Sequence, residues 1–275
     1  MLNIVKSLLF RLKKTKMYWI MLGVCAALPL LTSLMCSFVL DIADIFIDLP
    51  PNVGFEATTY MSLSSLASLN SDVNLLILLC VSIFLCKEFT DGTIRNALLS
   101  NKSRWQLYSA YGVTALMIGG SYVLANFVST LLSLAIPFGF GSTTPVGHAI
   151  SACLCSLLLG LLSMMVVVTT VLLFMFLTGK QAPSIVLPLL VTMFLPAIAL
   201  SAVEFVSQLV HLVQMGGQWM DVYIDYTWVP LYNAMLYDSM AVDGALVAKI
   251  SMYYVLFVGL FGGLGFLSAK NRDLK

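Results

Sequence analysis

Long apolar runs separated by short polar breaks set the pattern of this chain. An α-helix needs about 20 mostly apolar residues to cross some 30 Å of hydrocarbon. Six segments meet that measure: 17–40, 61–86, 107–136, 148–177, 182–203 and 246–269. The second reaches full length only by extending Val73–Cys86 back to Met61, which brings in Asn70, Asp72 and Asn74. Polar groups at that depth are costly against lipid, so this outer half is expected to face protein or water. Polar breaks at Pro137 to Gly147 and at Gly179-Lys180-Gln181 separate the third, fourth and fifth segments. Pro183, Pro188 and Pro196 interrupt the fifth and predict a kink, which a membrane tolerates where neighbouring groups satisfy the freed carbonyls.

Ahead of the first segment, residues 1–16 place Leu2, Val5, Leu9 and Leu12 near helical spacing with bases between them. This pattern fits an amphipathic helix lying in the membrane interface, its lysines near anionic headgroups. A basic leader without fixed structure is the alternative. The apolar run that follows, about 24 residues long, exceeds the 7–15 of a secretory signal core, and no small-x-small cleavage site closes it. It is therefore expected to be a true span.

Composition agrees with lipid as the solvent. Apolar residues make up 60% of the 275 and charged residues 10%, with a mean hydropathy of +0.98. Soluble domains carry about 25% charged residues to keep their surfaces wet. The expected architecture is an all-α integral membrane protein with one six-span domain over 17–275. A net charge of +1 gives no argument for a nucleic-acid partner. The distribution of charge is more informative. Of the 14 Lys and Arg, all but Lys249 fall on one side of the six-span layout. The opposite side holds Asp41, Asp44, Asp48, Glu56, Asp72, Glu204, Asp221, Asp225, Asp238 and Asp243. The positive-inside rule then places the basic side and both termini in the cytoplasm.

Catalytic constellations are missing from the sequence. The six cysteines lie inside apolar runs without CxxC spacing and read as small buried hydrophobes. There are two histidines, His148 and His211, and no HExxH, so no metal or cofactor site is expected. Gly179-Lys180 is followed by Gln181, with no glycine five residues before Gly179, which excludes a phosphate-binding Walker loop. No GxSxG elbow occurs. The chain is not expected to be an enzyme. An ATPase-independent secondary transporter or channel would usually show inverted repeats and ionisable groups at mid-membrane. No clear repeat stands out, and the span centres are nearly free of charge.

The most informative stretch is the first basic loop, Lys87-Glu88-Phe89-Thr90-Asp91-Gly92-Thr93-Ile94-Arg95-Asn96-Ala97-Leu98-Leu99-Ser100-Asn101-Lys102-Ser103-Arg104. Thr90 or Asp91 can cap a short amphipathic helix whose Ile94, Leu98 and Leu99 face inward, and Ser103 can cap the next span. The plain alternative is a charged loop that keeps two spans oriented. An acid followed by Gly-Thr-Ile-Arg, then Leu-Leu, then Ser-Arg resembles the permease subunits of ABC-2-type transporters. Among these it is most similar to the small bacterial permeases of bacitracin and lantibiotic resistance and to related peptide exporters. The motif runs from Glu88 to Tyr108, and the six-span layout with a leading amphipathic helix agrees along the rest of the chain. Family members often carry a proline where this chain has Asn101-Lys102, and a lysine where it has Ala110-Tyr111.

That resemblance implies an ABC-2 (type V exporter-like) permease fold in a bacterial cytoplasmic membrane. It implies that residues 88–100 form a coupling helix docking on a separate ABC ATPase, with Glu88, Asp91, Gly92, Thr93, Ile94, Arg95 and Arg104 forming or supporting the docking surface. ATP and Mg would be bound by that partner, present in two copies, alongside a second copy of this permease or a related one. The aromatic-rich stretch 204–243 would be a re-entrant hairpin closing the outer end of the path, with Trp219, Tyr223, Trp228 and Tyr232 as a gate. A plain outer loop is the alternative there.

Overall fold

A computed structural model of the chain describes residues 2–47, 73–88, 103–138, 146–195, 198, 201, 202 and 244–271. Among these, regular structure is entirely helical. The helices are α1 (Leu2–Lys14), α2 (Lys16–Ile47), α3 (73–88), α4 (Arg104–Phe138), α5 (Val146–Thr178), α6 (Gln181–Leu189) and α7 (Gly244–Asn271). A π-helical stretch, Leu190–Phe194, continues α6.

Three helical stretches are long and apolar enough to cross a membrane: Arg104–Ser133, Leu154–Thr178 and Val247–Lys270. The bent pair Asn3–Lys14 and Lys16–Thr32, turned by 72° at Thr15, makes up to four if it counts as one span. The exposed surface supports a membrane setting. Ile20, Leu31, Leu34, Met35 and Phe38 on α2 are exposed, as are Met252, Val255, Leu256, Leu260, Leu264 and Leu267 on α7. Apolar stripes of that length are ruinous in water and ordinary in lipid.

At the centre lies α3. Of its sixteen described positions only Lys87 is exposed, and Ile77, Leu78, Val81 and Leu85 are wholly buried. A helix apolar on every side belongs in the interior of a bundle. Its polar residues find partners on three other helices, as burial requires. Asn74 Nδ2 donates to Ser163 Oγ of α5 at 2.6 Å, and Ser82 Oγ donates to the Ser184 carbonyl of α6 at 3.2 Å. Glu88 pairs with Arg11 of α1. The expectation that Asn74 faces protein therefore holds. Asn70 and Asp72 lie outside the described residues.

The Ser82 contact explains how α6 carries its prolines. Pro188 has no N–H, so the carbonyl of Ser184 four residues earlier loses its helical donor. The hydroxyl of Ser82 replaces it from the neighbouring helix. Pro183 stands in the first turn, where proline is tolerated. Before α6, Gly179 takes φ 61°, a left-handed conformation in which Cβ is penalised, and its N–H bonds the Met175 carbonyl at 2.9 Å. The polar break at 179–181 is therefore a helix C-cap.

Helix α4 is the hub, packing against α2, α5 and α7 and receiving α1, while α5 also packs on α6 and α7. Polar ties hold α2 to α4. The Tyr122 hydroxyl donates to the Tyr18 carbonyl at 3.1 Å and lies 3.0 Å from Cys80 Sγ of α3. Tyr18 donates to Ser121 at 3.0 Å, and Ser129 bonds the Ala26 carbonyl. Between helices in lipid, such bonds and close packing take over the work that water does for soluble cores. Cys25, Cys80 and Cys86 are buried thiols, in line with their reading as small hydrophobes, and Cys155 is half-buried.

Candidate functional site at the basic end of the bundle

Helix ends converge where the bases cluster. The elbow between α1 and α2 carries Arg11, Lys13, Lys14 and Lys16; α3 ends at Lys87 and Glu88; α4 begins at Arg104; α7 ends beside Lys270. Residues 89–102, outside the described residues, connect α3 to α4, so Glu88 and Arg104 flank that connection.

Glu88 is buried, with a side chain 9% exposed, and it accepts a 2.7 Å bond from Arg11 Nη1. Its carboxylate is turned to α1 rather than to solvent. Helix α1 reaches it because Leu8 and Leu12 are buried in the main core, with Ile4 and Leu9 packed partly against it. The buried face is thus centred on Ile4, Leu8 and Leu12 at i, i+4, i+8, and it overlaps the expected Leu2-Val5-Leu9-Leu12 stripe at Leu9 and Leu12. Arg11 sits beside Leu12 at the edge of this stripe, half exposed, so its guanidinium can bridge from water to the buried carboxylate. The elbow is fixed from both sides: Thr15 Oγ1 donates to the Arg11 carbonyl at 3.0 Å, and Trp19 Nε1 to the Lys13 carbonyl at 2.9 Å.

At the other end of the loop, Arg104 is exposed and its Nη1 donates to the Lys270 carbonyl at 2.8 Å. A cation on the last carbonyls of α7 also complements the negative end of that helix dipole. Ser103 Oγ accepts from the Gln106 N–H at 3.3 Å, the N-cap bond its position suggests. Just above, Trp105 stacks edge-on against Phe266 at 4.6 Å, and the Tyr108 hydroxyl donates to the Gly262 carbonyl at 3.1 Å. A Cβ on Gly265 would meet Tyr108 Oη at 2.6 Å and the Leu173 backbone at 3.3 Å, so glycine there permits the close approach of α7.

Glu88 and Arg104, which flank residues 89–102, are therefore held by different helices, one by α1 and one by α7. Of the residues expected to serve docking, Glu88 and Arg104 are described, and Asp91, Gly92, Thr93, Ile94 and Arg95 lie outside the described residues, as do Trp219, Tyr223, Trp228 and Tyr232. Sequence reasoning missed Arg11 and Lys270 as anchors. Arg11 had a signal, a base at the border of an apolar helical stripe; Lys270 contributes a backbone oxygen and had none. Higher in the bundle, Asn74 and Ser156 line a small cavity of about 10 Å³ together with Val73, Val123 and Phe127, enough for one water. Among the described residues no cluster of His, Cys, Asp or Glu is arranged to hold a metal ion. No protein-family model matches the chain, and a search of curated proteins found no match to it.

Proposed function

We propose that this chain is the membrane-embedded permease subunit of an ABC exporter, forming the translocation path and coupling to a separate ATPase. The observation that carries the reading is the double anchoring of the residues that flank the connection at 89–102. Its first end is held by the Arg11–Glu88 ion pair and its second by the Arg104 bond to the Lys270 carbonyl. A loop that passes force from a motor to transmembrane helices must be stiffly joined to them, and both joints here are charge-assisted bonds, which are among the strong ones. The Asp91-Gly92-Thr93-Ile94-Arg95 motif lies between those joints. Nothing in the sequence offers a nucleotide site, so hydrolysis of ATP with Mg falls to the partner.

In this reading the permease has six spans in an ABC-2 arrangement, with its basic end and termini in the cytoplasm of a bacterial cell. It works with two ATPase subunits and a second permease, and it moves a peptide or an amphipathic compound outward. The test is affinity capture of the tagged protein from its native membrane in mild detergent, with mass spectrometry of what accompanies it. An ABC ATPase at near-equal amounts, lost on Arg95→Ala, is the expected result. Protein free of ATPase, in a detergent that preserves known transporter complexes, would transfer the assignment to a secondary transporter or channel.

A further inference from the structure

A second feature of the basic end is independent of the permease reading. Helices α4, α5 and α7 enclose a cleft of about 660 Å³, open on one side. It runs along α4 from Trp105 to Leu116, with Met165 and Leu172 of α5 behind it and Gly262, Gly263 and Phe266 of α7 at its flank. Its size lies within the roughly 300–1,000 Å³ of sites that bury small ligands. Its length, about 16 Å at 1.5 Å per residue, is about half the thickness of a hydrocarbon core. Glycines on α7 create the space: a Cβ on Gly263 would meet nothing within 4 Å.

Three observations identify the occupant. The lining is almost entirely apolar, so a water-filled cleft is unfavourable. Exposed Leu264 and Leu267 carry the lipid-facing stripe of α7 down past the cleft to its rim. At the rim the chemistry changes, because Arg104 adjoins Trp105, Lys270 follows Phe266 by one turn, and both cations are exposed and joined through the Lys270 carbonyl. Trp105, 57% exposed beside Arg104, suits the boundary between tails and headgroups.

We propose that this cleft is a binding site for one anionic phospholipid, its acyl chain lying between α4, α5 and α7 and its phosphate facing Arg104 and Lys270. The tail gains little from leaving other lipid tails, which are equally apolar. Selectivity therefore resides in the two charges, each of which favours an anionic headgroup about fivefold.

The experiment uses the full chain in phosphatidylethanolamine vesicles containing a trace of phosphatidylglycerol with a photoreactive group in its tail. Adducts are mapped by mass spectrometry and compared with those of the same tail on phosphatidylcholine. Adducts concentrated on Leu116, Met165 and Val258, stronger for phosphatidylglycerol, are expected. Gly263→Phe should fill the cleft and remove them. Gly259→Phe, at a glycine equally open to its surroundings but outside the cleft lining, should leave them in place. Arg104→Gln with Lys270→Gln should erase the headgroup preference and keep the tail adducts. Labelling spread evenly over Leu256 and Leu260, or equal labelling by both headgroups, overturns the proposal. So does a wild-type cleft shielded from lipid and cross-linked to a second copy of the chain, since that copy would then be the occupant.

Discussion

Removing either partner of the Arg11–Glu88 pair should have unequal consequences, because the two groups are buried unequally. The glutamate side chain is 9% exposed and the arginine 47%. Arg11→Ala removes the guanidinium from a carboxylate in a poorly hydrated position, and breaking a buried pair in this way costs about 3 kcal/mol. Glu88→Ala leaves a guanidinium that water already reaches, and losing a pair of that kind costs about 1 kcal/mol. At some 2–4 °C per kcal/mol for a chain of this class, the melting temperature should fall by about 6–12 °C in the first variant and about 2–4 °C in the second. Removing both should cost less than the sum of the single changes, with a coupling of about 2 kcal/mol. The assay is thermal unfolding in mild detergent with a thiol-reactive fluorophore, since Cys25, Cys80 and Cys86 are buried thiols that become reactive as the bundle opens. Equal losses from the two single variants, or a double variant that is simply additive, would refute the assignment of the glutamate as the buried member of a coupled pair.

Three further outcomes can be read with the same assay. Ser82→Ala should destabilise by about 1–3 kcal/mol by leaving the Ser184 carbonyl without its donor. Most of that loss should disappear in a Pro188→Ala background, where the restored N–H takes over. Gly119→Ala should cost about 1–3 kcal/mol, because a Cβ there meets Met164 Cγ at 2.6 Å. Its neighbour Gly120 has nothing within 4 Å, so Gly120→Ala should be neutral or gain about 0.5–1 kcal/mol from helix propensity. Tyr122→Phe should lose about 1 kcal/mol with its bond to the Tyr18 carbonyl and expose the Cys80 thiol to faster labelling.

How far the sequence could be read depended on whether a feature is local. Apolar runs locate the helices well, since the fourth run at 148–177 sits within α5 (Val146–Thr178) and the sixth at 246–269 within α7 (Gly244–Asn271). They underestimate α2 and α4, which continue into polar residues at Asp41 and at Arg104-Trp105-Gln106. Hydropathy reports the solvent around a helix, whereas its length follows from backbone hydrogen bonds that persist outside the hydrocarbon. Gly179-Lys180-Gln181 was legible because a helix stop has local chemistry. The Arg11–Glu88 pair joins residues 77 apart, and no periodicity encodes such a meeting. Arg104 donates to a backbone oxygen, which every residue possesses, so the acceptor leaves no mark in the sequence. The cleft exists because Gly262 and Gly263 lack side chains on the face turned to α4 and α5, and only the packed bundle shows which face that is.

The seat of α1 has a consequence for biogenesis. Its core contacts lie on α4 as well as on α2, and its ion-pair partner stands at the end of α3. Helix α1 leaves the ribosome before either α3 or α4 exists. Its buried face therefore lacks its seat until α3 and α4 have been made. Docking of α1 thus lags its synthesis, and closure of the Arg11–Glu88 pair marks the point at which the end of α3 has come into place beside it.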